Sequence, residues 1–310
     1  MKLDIYLEEL KRELEKRNIA EKDDILQYFE EMITDREESG EEIDSILSSL
    51  GEPCDVINSL YGAEEKEESA ETEKEDTSKR YSFADVRSIK IENVTYDFCF
   101  HEDDVDEVTV VFNDDKYTTL NVEYDNGRLK IEQVYAFKGI TALFSSLTRL
   151  FSDSDRNNMA GRYRAEIFLP RNARLDLKME TVSGETRFTD IGIGDLKMET
   201  VSGDLELNGC NFDDCSVDSV SGNIEVHDLI VDEKFDVESV SGDLEIDGIR
   251  CEKIEIDTVS GDAEILIDGP KDDYNVKISK VLKDISTQGK RHSYLKVNTV
   301  SGTITYNFTK

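Results

Sequence analysis

Short stretches of alternating apolar and polar residues fill the C-terminal half of the chain, and one tripeptide separates them at regular intervals. Val-Ser-Gly occurs at 182–184, 201–203, 220–222, 240–242, 259–261 and 300–302. Successive valines are 19, 19, 20, 19 and 41 residues apart. A constant period of about 20–50 residues indicates a stacked repeat architecture. The final step covers about two periods, which suggests that one coil has lost its motif.

Each repeat predicts two short β-strands that meet at a corner. Leu196-Lys197-Met198-Glu199 precedes one tripeptide, and Leu205-Glu206-Leu207 follows it. Period-two alternation gives a strand one buried and one solvated face, and such short units bury their apolar faces only by stacking. Glycine lacks a Cβ atom, which lets the chain turn. The predicted corners are Gly184, Gly203, Gly222, Gly242, Gly261 and Gly302. We therefore predict an α+β chain of two domains, in which residues 172–310 form a β-solenoid (β-helix-like) of coils of about 19–20 residues.

The N-terminal residues carry apolar side chains at helical spacing instead. Tyr6, Leu10 and Leu14 fall on one stripe of a first helix. Two further helical patterns follow and end near glycines. We predict a small helical bundle at 1–62. Residues 63–80 contain no large apolar side chain and are predicted to be an acidic linker.

This N-terminal pattern resembles the HAAS-type bacterial signalling domain. The residues that carry the resemblance are Tyr6-Leu7-x-x-Leu10, Tyr28-Phe29-Glu30-Glu31, Asp35, Gly40 and Leu50-Gly51-Glu52-Pro53. The resemblance implies a small helical adaptor, often encoded beside a PadR-like transcriptional regulator. A protein partner such as a PadR-like regulator is therefore expected to bind the helical module. A bundle that pairs with itself, giving a homodimer, is the alternative.

Between the two modules, residues 81–171 predict leading β-strands that cap or extend the solenoid. Asn126-Gly127 predicts a tight hairpin within them, because this pair tolerates positive φ. The strands are interrupted by an amphipathic insertion at 136–160. Its apolar residues recur at helical spacing over 137–151, which fits a structural cap, self-association or contact with a membrane surface.

The charge balance narrows the choice of partners. The chain has 71 acidic and 37 basic residues and a net charge of −34. Such a chain repels phosphate backbones, so no nucleic-acid partner is expected, whereas a cationic peptide or Ca²⁺ is compatible. The residues that follow Ser-Gly would form a column of carboxylates that Ca²⁺ could bridge. The calcium candidates are Glu185, Asp204, Asp243 and Asp262. Asp and Asn also suit turns for purely structural reasons.

Residues typical of catalysis are sparse. His101, His227 and His292 have no metal-ligand spacing between them, and the five cysteines form no Cys-x-x-Cys pair. We therefore expect no enzyme activity, no cofactor and no metal, although carbohydrate-active β-helix enzymes are a third, least favoured class. The chain shows neither a signal-like segment nor an apolar span of about 20 residues, which predicts a cytoplasmic protein. Surface display would then require non-classical export.

The β-rich part has a family resemblance of its own. Ile89–Tyr96, the Asn-Gly hairpin, Ile167–Pro170 and the repeated Val-Ser-Gly-Asp resemble the bacterial "putative adhesin" β-solenoid family of unknown function, over residues 85–310. Relatives with a helical N-terminus look like envelope-stress proteins that respond to cationic antimicrobial peptides. The leading hypothesis is a non-enzymatic interaction scaffold in bacterial cell-envelope stress or regulatory signalling. The alternative is a surface adhesin or a binder of Ca²⁺ or a cationic peptide.

Overall fold

The chain divides into two compact units. The computed structural model describes residues 3–17, 22–38, 40–54, 56–57, 78–114, 118–135, 163–171, 173–280, 283–289 and 293–309. One unit comprises residues 1–78, 113–121 and 133–163, and the other comprises 79–112, 122–132 and 164–310. The predicted insertion at 136–160, with its stretch 137–151, lies outside the described residues. Most of the predicted linker at 63–80 lies outside them as well.

Three helices pack together at the N-terminus, which confirms the predicted helical module. They are α1 (Leu3–Lys16), α2 (Lys22–Glu38) and α3 (Ile43–Leu50). Their buried apolar side chains are Tyr6, Leu10, Leu14, Ile25, Phe29, Ile33, Ile46, Leu47 and Leu50. Gly51 ends α3 at a φ of 86°, a backbone state that glycine reaches without steric cost. None of the described helices is both long and apolar enough to cross a bilayer.

The rest of the described chain consists mainly of β-strands. They are β1 (Lys79–Phe83), β2 (Ser88–Asn93), β3 (Asp97–Asp103), β4 (Val108–Phe112), β5 (Thr118–Asp125), β6 (Arg128–Tyr135), β7 (Arg164–Pro170), β8 (Asp176–Thr181), β9 (Thr186–Thr189), β10 (Leu196–Thr200), β11 (Leu205–Asn208), β12 (Asn211–Ser219), β13 (Ile224–Ser239), β14 (Leu244–Thr258), β15 (Ala263–Ile267), β16 (Tyr274–Lys280), β17 (Lys283–Thr287), β18 (Ser293–Thr299) and β19 (Ile304–Phe308). A single 3₁₀ turn, Lys271–Asp273, is seen among the described residues.

These strands stack in parallel into the predicted solenoid, which has two long faces. Face A runs in the order β6, β2, β8, β10, β12, 234–239 of β13, 253–258 of β14, β18 and β16. Face B runs in the order β7, β3, β9, β11, 224–227 of β13, 244–247 of β14, β15 and β19. The Val-Ser-Gly tripeptides join face A to face B. A short third side, with 229–231 in register with 249–251, leads onward to the next coil.

Equivalent residues of successive coils stand directly beside one another. One inward column of face A consists of Leu177, Leu196, Cys215, Phe235, Ile254 and Leu295. All six side chains are buried. Burial of a side chain of this size contributes about 1.5–3 kcal/mol. Each coil therefore covers the apolar side chains of the next, and the repeat needs its neighbours to be stable.

The tripeptide corner explains why the coils stay in register. Each serine hydroxyl donates to the carbonyl oxygen of the valine one coil earlier, as Ser221 Oγ does to Val201 at 3.0 Å. The same bond recurs at 2.8–3.3 Å for Ser183, Ser202, Ser241, Ser260 and Ser301. The glycine carbonyl of one coil lies so close to the next glycine that a Cβ atom there would overlap it. The serine and the glycine therefore set the spacing between coils.

The repeat lengths also have structural explanations. In the 20-residue step, Phe212 pairs with Val231 but Asp214 pairs with Lys234, so β13 contains one extra residue as a bulge. The 41-residue step contains a hairpin of β16 and β17, and β18 lies between β14 and β16. The prediction that one coil has lost its motif is wrong. The extra residues form β16 and β17, and β16 pairs with the outer side of β18 instead of forming a coil between β14 and β18. The leading strands β2, β3, β6 and β7 continue the parallel stack, whereas β1 and β4 add to it antiparallel.

Substitution of one corner glycine tests the close packing of the coils. We expect Gly222→Ala to lower the free energy of unfolding by about 1–3 kcal/mol, because the new methyl group would overlap the carbonyl of Gly203. Gly192→Ala is the control, since a Cβ atom there meets its nearest neighbour only at 3.9 Å. Urea unfolding of both variants measures the difference. Equal stability of the two would contradict the role given to the corner glycine.

Candidate functional site

A column of polar side chains follows the corner glycines on face B. Asp204 Oδ1 accepts the backbone N–H of Asn223 at 2.8 Å, and Asn223 Oδ1 accepts that of Asp243 at 3.0 Å. Asp243 bonds Asp262 in the same way at 2.8 Å. Each side chain thus ties its own coil to the next. Because Asn223 does the same as the aspartates, the bond needs an oxygen acceptor and not a negative charge.

The calcium candidates occupy this column, and Asn223 stands on the coil between Asp204 and Asp243. The backbone N–H of Glu185 donates a coil-to-coil hydrogen bond to Asp97 Oδ1 at 2.8 Å. Burial raises the pKa of the Glu185 carboxyl group. Asp204, Asp243 and Asp262 each have one oxygen engaged with a backbone N–H. Within the described ranges, His, Cys, Asp and Glu side chains nowhere gather in threes with the geometry of a metal site. Calcium binding stays a prediction.

On face A, a column of lysines runs beside a column of glutamates. The lysines in register are Lys130, Lys90, Lys178 and Lys197. The glutamates two residues further on are Glu132, Glu92, Glu180 and Glu199. The sequence signal for this arrangement is the recurring apolar-Lys-apolar-Glu at 89–92, 129–132, 177–180 and 196–199. This arrangement was not predicted from the sequence, because the recurring tetrapeptide forms two columns only once the strands are in register.

The two columns neutralise each other. Lys130 Nζ lies 3.0 Å from Glu92 and 2.8 Å from Glu132, and Lys178 Nζ lies 2.7 Å from Glu180. The hydrogen-bonded ammonium of Lys90 holds the pKa of the Glu92 carboxyl below its usual range. Further along the face, Lys234 bonds Asp236 and Glu255, both at 2.8 Å. Face A therefore keeps little uncompensated charge where lysines are present.

Face B is different, because three of its four central carboxylates have no ion pair among the described residues. Glu206, Glu225, Glu245 and Glu264 stand in register on neighbouring coils. Arg187 contacts Glu206 at 3.0 Å. For Glu225, Glu245 and Glu264, which are exposed, no ion pair occurs within the described part of the chain. Like charges about one strand spacing apart repel one another unless water or a cation screens them. This face is the strongest candidate surface for a cationic partner.

An apolar ridge separates the two faces. The valine side chains of the corner point outward, with Val220, Val240, Val259 and Val300 exposed by 47, 50, 47 and 60%. About half of each of these side chains is accessible, so the valine ridge offers apolar surface to a partner. Asp218 and Glu238 stand two residues before its valines, and Asp243 and Asp262 three residues after. The ridge therefore has carboxylates on both sides.

The cysteines and histidines differ in their surroundings. Cys99, Cys210, Cys215 and Cys251 are buried, as expected of core residues, whereas Cys54 is exposed. Burial raises the pKa of the Cys210 thiol to about 11, which keeps it protonated. His101 stacks on Phe168, and His227 lies 4.0 Å from Asp247. His292 lies outside the described residues.

The fold and its repeating corners agree with a match to a known family. The model of the family described as Toastrack DUF4097 matches residues 71–309. The chain belongs to the Toastrack DUF4097 family. The Toastrack match covers both faces of the solenoid and the valine ridge. A second model, HAAS, matches residues 6–59, which comprise most of the described helical module.

The solved structures that match this Toastrack protein share little sequence with it. A "putative cell adhesion protein" from Clostridium sporogenes is 12% identical, covering 75% of this chain and 99% of that one, with a TM-score of 0.34. A "putative adhesin" from Parabacteroides distasonis is 16% identical over 74% of this chain and 96% of that one, with a TM-score of 0.41. A "putative lipid binding protein" from the same species is 15% identical over the same shares, with a TM-score of 0.37. Comparison with the curated proteins finds no match.

The corner column can be tested at Asp243. We expect Asp243→Ala to lower the free energy of unfolding by about 0.5–1.5 kcal/mol, because the N–H of Asp262 loses its acceptor. Asp243→Asn, the residue type already present at 223, should leave stability unchanged or raised. Thermal unfolding measures both variants. Repeating it with millimolar Ca²⁺ tests the calcium prediction, because a bound ion would raise the melting temperature of the wild type more than that of Asp243→Asn.

Proposed function

We propose that this Toastrack protein is a non-enzymatic interaction scaffold whose face B and valine ridge bind a cationic partner. The observation that carries the proposal is the contrast between the two faces. Along β6, β2, β8 and β10 face A pairs its glutamates with lysines, whereas Glu225, Glu245 and Glu264 of face B stay exposed without a described cation beside them. An uncompensated column costs stability, which is a reason to assign it a binding role.

The chemistry of the surface defines the class of partner. The exposed carboxylates favour a partner with Lys and Arg side chains. The exposed valines of the ridge, which has carboxylates on both sides, favour apolar side chains among those cationic ones. A cationic peptide or a basic, partly apolar segment of a protein fits both features. The groups of the solenoid recur coil by coil and do not converge on one point, which supports recognition of an extended ligand over catalysis.

We further propose that the helical module connects this binding surface to a regulatory partner. The HAAS match at residues 6–59 supports a protein partner for these helices. A PadR-like regulator is the candidate that the family resemblance implies, with a role in envelope-stress or regulatory signalling inside the cell. Ile5, exposed by 49% on α1, is an apolar side chain available for such a contact.

Binding of a basic peptide tests the assignment of face B. The probe is a fluorescently labelled decapeptide of alternating lysine and valine. Its binding to the full chain is measured by fluorescence anisotropy. We expect the triple variant Glu225→Gln, Glu245→Gln, Glu264→Gln to weaken binding about tenfold or more, because the cationic side chains lose their counter-charges. Added salt should weaken binding to the wild type.

A control variant separates the local surface from net charge. Asp232→Asn, Glu233→Gln and Glu252→Gln change the net charge equally, at exposed positions around the third side. We expect this control to bind the peptide nearly as well as the wild type. Equal loss in the two triple variants would mean that only net charge matters, and the assignment to face B would then be wrong.

The helical module is tested with the PadR-like regulator itself. We expect the full chain to retain that regulator on co-purification, and Ile5→Glu to abolish this, because a carboxylate would replace an apolar contact. Lys11→Glu, also exposed on α1, is the matched control and should retain the regulator. Circular dichroism checks that both variants keep their helices. Retention that is unaffected by Ile5→Glu places the contact elsewhere on the chain.

A further inference from the structure

The glutamate column and the corner column of face B both lose their negative charge at β19, the last described strand of this face. Thr305 of β19 stands in register with Glu264 of β15, the last member of the glutamate column. In the corner column, the N–H of Thr303 donates to Asp262 Oδ1 at 2.7 Å, and Thr303 takes the place that aspartates hold in earlier coils. Asn307 is likewise uncharged. At positions 303 and 305 the final coil therefore presents neutral side chains where the coil before it presents the carboxylates of Asp262 and Glu264.

The outer edge of β19 is open. Among the described strands, β15 alone pairs with β19. The N–H of Thr309 and the carbonyl of Thr303 both bond to β15. In a parallel ladder, alternate residues direct their backbone groups to opposite sides. The N–H and C=O groups of Ile304, Tyr306 and Phe308 therefore point away from β15 and can accept another strand.

The inward side chains of β19 are also incompletely covered. Ile304, Tyr306 and Phe308 are each half-buried. Their partners in register, Ala263, Ile265 and Ile267, are only 3, 1 and 0% exposed. The difference arises because no described strand covers the other side of β19. A strand added to β19 would bury these three side chains.

The other end strands carry charges that β19 lacks. β1, which pairs with β4, begins with Lys79 and Arg80, and β17, which pairs with β16, begins with Lys283 and Asp284. Charged residues on an end strand discourage pairing with another chain. From Thr303 to Thr309 the sequence has no charge, no proline and no glycine. Such a segment has a high tendency to pair as a β-strand.

We propose that β19 joins two copies of this chain, with the two strands paired antiparallel across a two-fold axis. A second copy carries the same net charge of −34, so it can approach closely only where the acidic columns are interrupted. A cationic partner would not need that interruption, because the glutamates upstream attract it better. The neutrality of the last coil therefore favours a like-charged occupant.

The pattern of β19 is self-complementary. With Tyr306 opposite Tyr306 of the second copy, Ile304 lies opposite Phe308, and the apolar sides of the two strands meet. The open backbone groups of these residues then form the hydrogen-bonded pairs. Thr305 lies opposite Asn307 as a non-hydrogen-bonded pair, with Cα atoms about 4.5 Å apart.

The association is tested by sedimentation velocity of the full chain over a range of concentrations. We expect the wild type to dimerise, and Thr305→Glu to raise the dissociation constant about tenfold or more, because it extends the glutamate column to the interface. Thr305→Gln has nearly the same shape without the charge and should dimerise like the wild type. High salt should partly restore the Thr305→Glu dimer. Unchanged thermal unfolding shows that the variants are folded.

A disulfide tests the register directly. We expect the double variant Thr305→Cys, Asn307→Cys to form a covalent dimer under mild oxidation, linked between positions 305 and 307 of different copies, because such opposed pairs suit disulfide geometry. The wild type, whose Cys54 is exposed, gives the background. A monomeric wild type at every concentration would overturn the proposal. So would a dimer that persists undiminished in Thr305→Glu and forms no 305–307 link.

Discussion

The contact between corner glycines of successive coils is the constraint on which the solenoid depends. The carbonyl of each glycine occupies the space where the next glycine would carry a Cβ atom. The serine hydroxyl adds a bond to the coil before it. Together they place each coil at one distance and in one register relative to its neighbour. Because the register is kept on both sides of the corner, equivalent positions of the repeat line up as columns along the stack.

Column formation helps apolar residues and penalises charged ones. Stacked leucines and isoleucines cover one another, whereas stacked carboxylates about 4.8 Å apart repel. Face A avoids the penalty by placing lysines beside glutamates, and the hydrogen bonds of Lys197 hold the pKa of Glu199 below its usual range. Face B leaves Glu225, Glu245 and Glu264 without an ion pair among the described residues. The distribution of charge therefore distinguishes lysine–glutamate pairs on face A from a run of unpaired glutamates on face B.

Much of the solenoid could be predicted from the sequence, because the tripeptide recurs at a constant period and the strands alternate strictly. The lysine column could not be predicted, since Lys90 and Lys178 are far apart in sequence and meet only through register. The coil-to-coil bonds of Asp204 and its equivalents also depend on that register. The place of β18 was missed because an inserted hairpin resembles a missing repeat when only residue spacing is considered. The helical module was recognisable because its apolar stripe is local.

The order of strands at the C-terminal end has a consequence for biosynthesis. β18 lies between β14 and β16, although the ribosome makes it after both. Earlier coils can add to the growing stack one at a time as the chain emerges, whereas β16 has no parallel neighbour on face A until β18 inserts beside it. The coil that contains β18 therefore forms in one step, after the chain has been made through Thr299. Nascent chains that stall before this point would leave residues 253–258 of β14 without β18 on one side. The apolar edge exposed in this way would be accessible to chaperones and proteases.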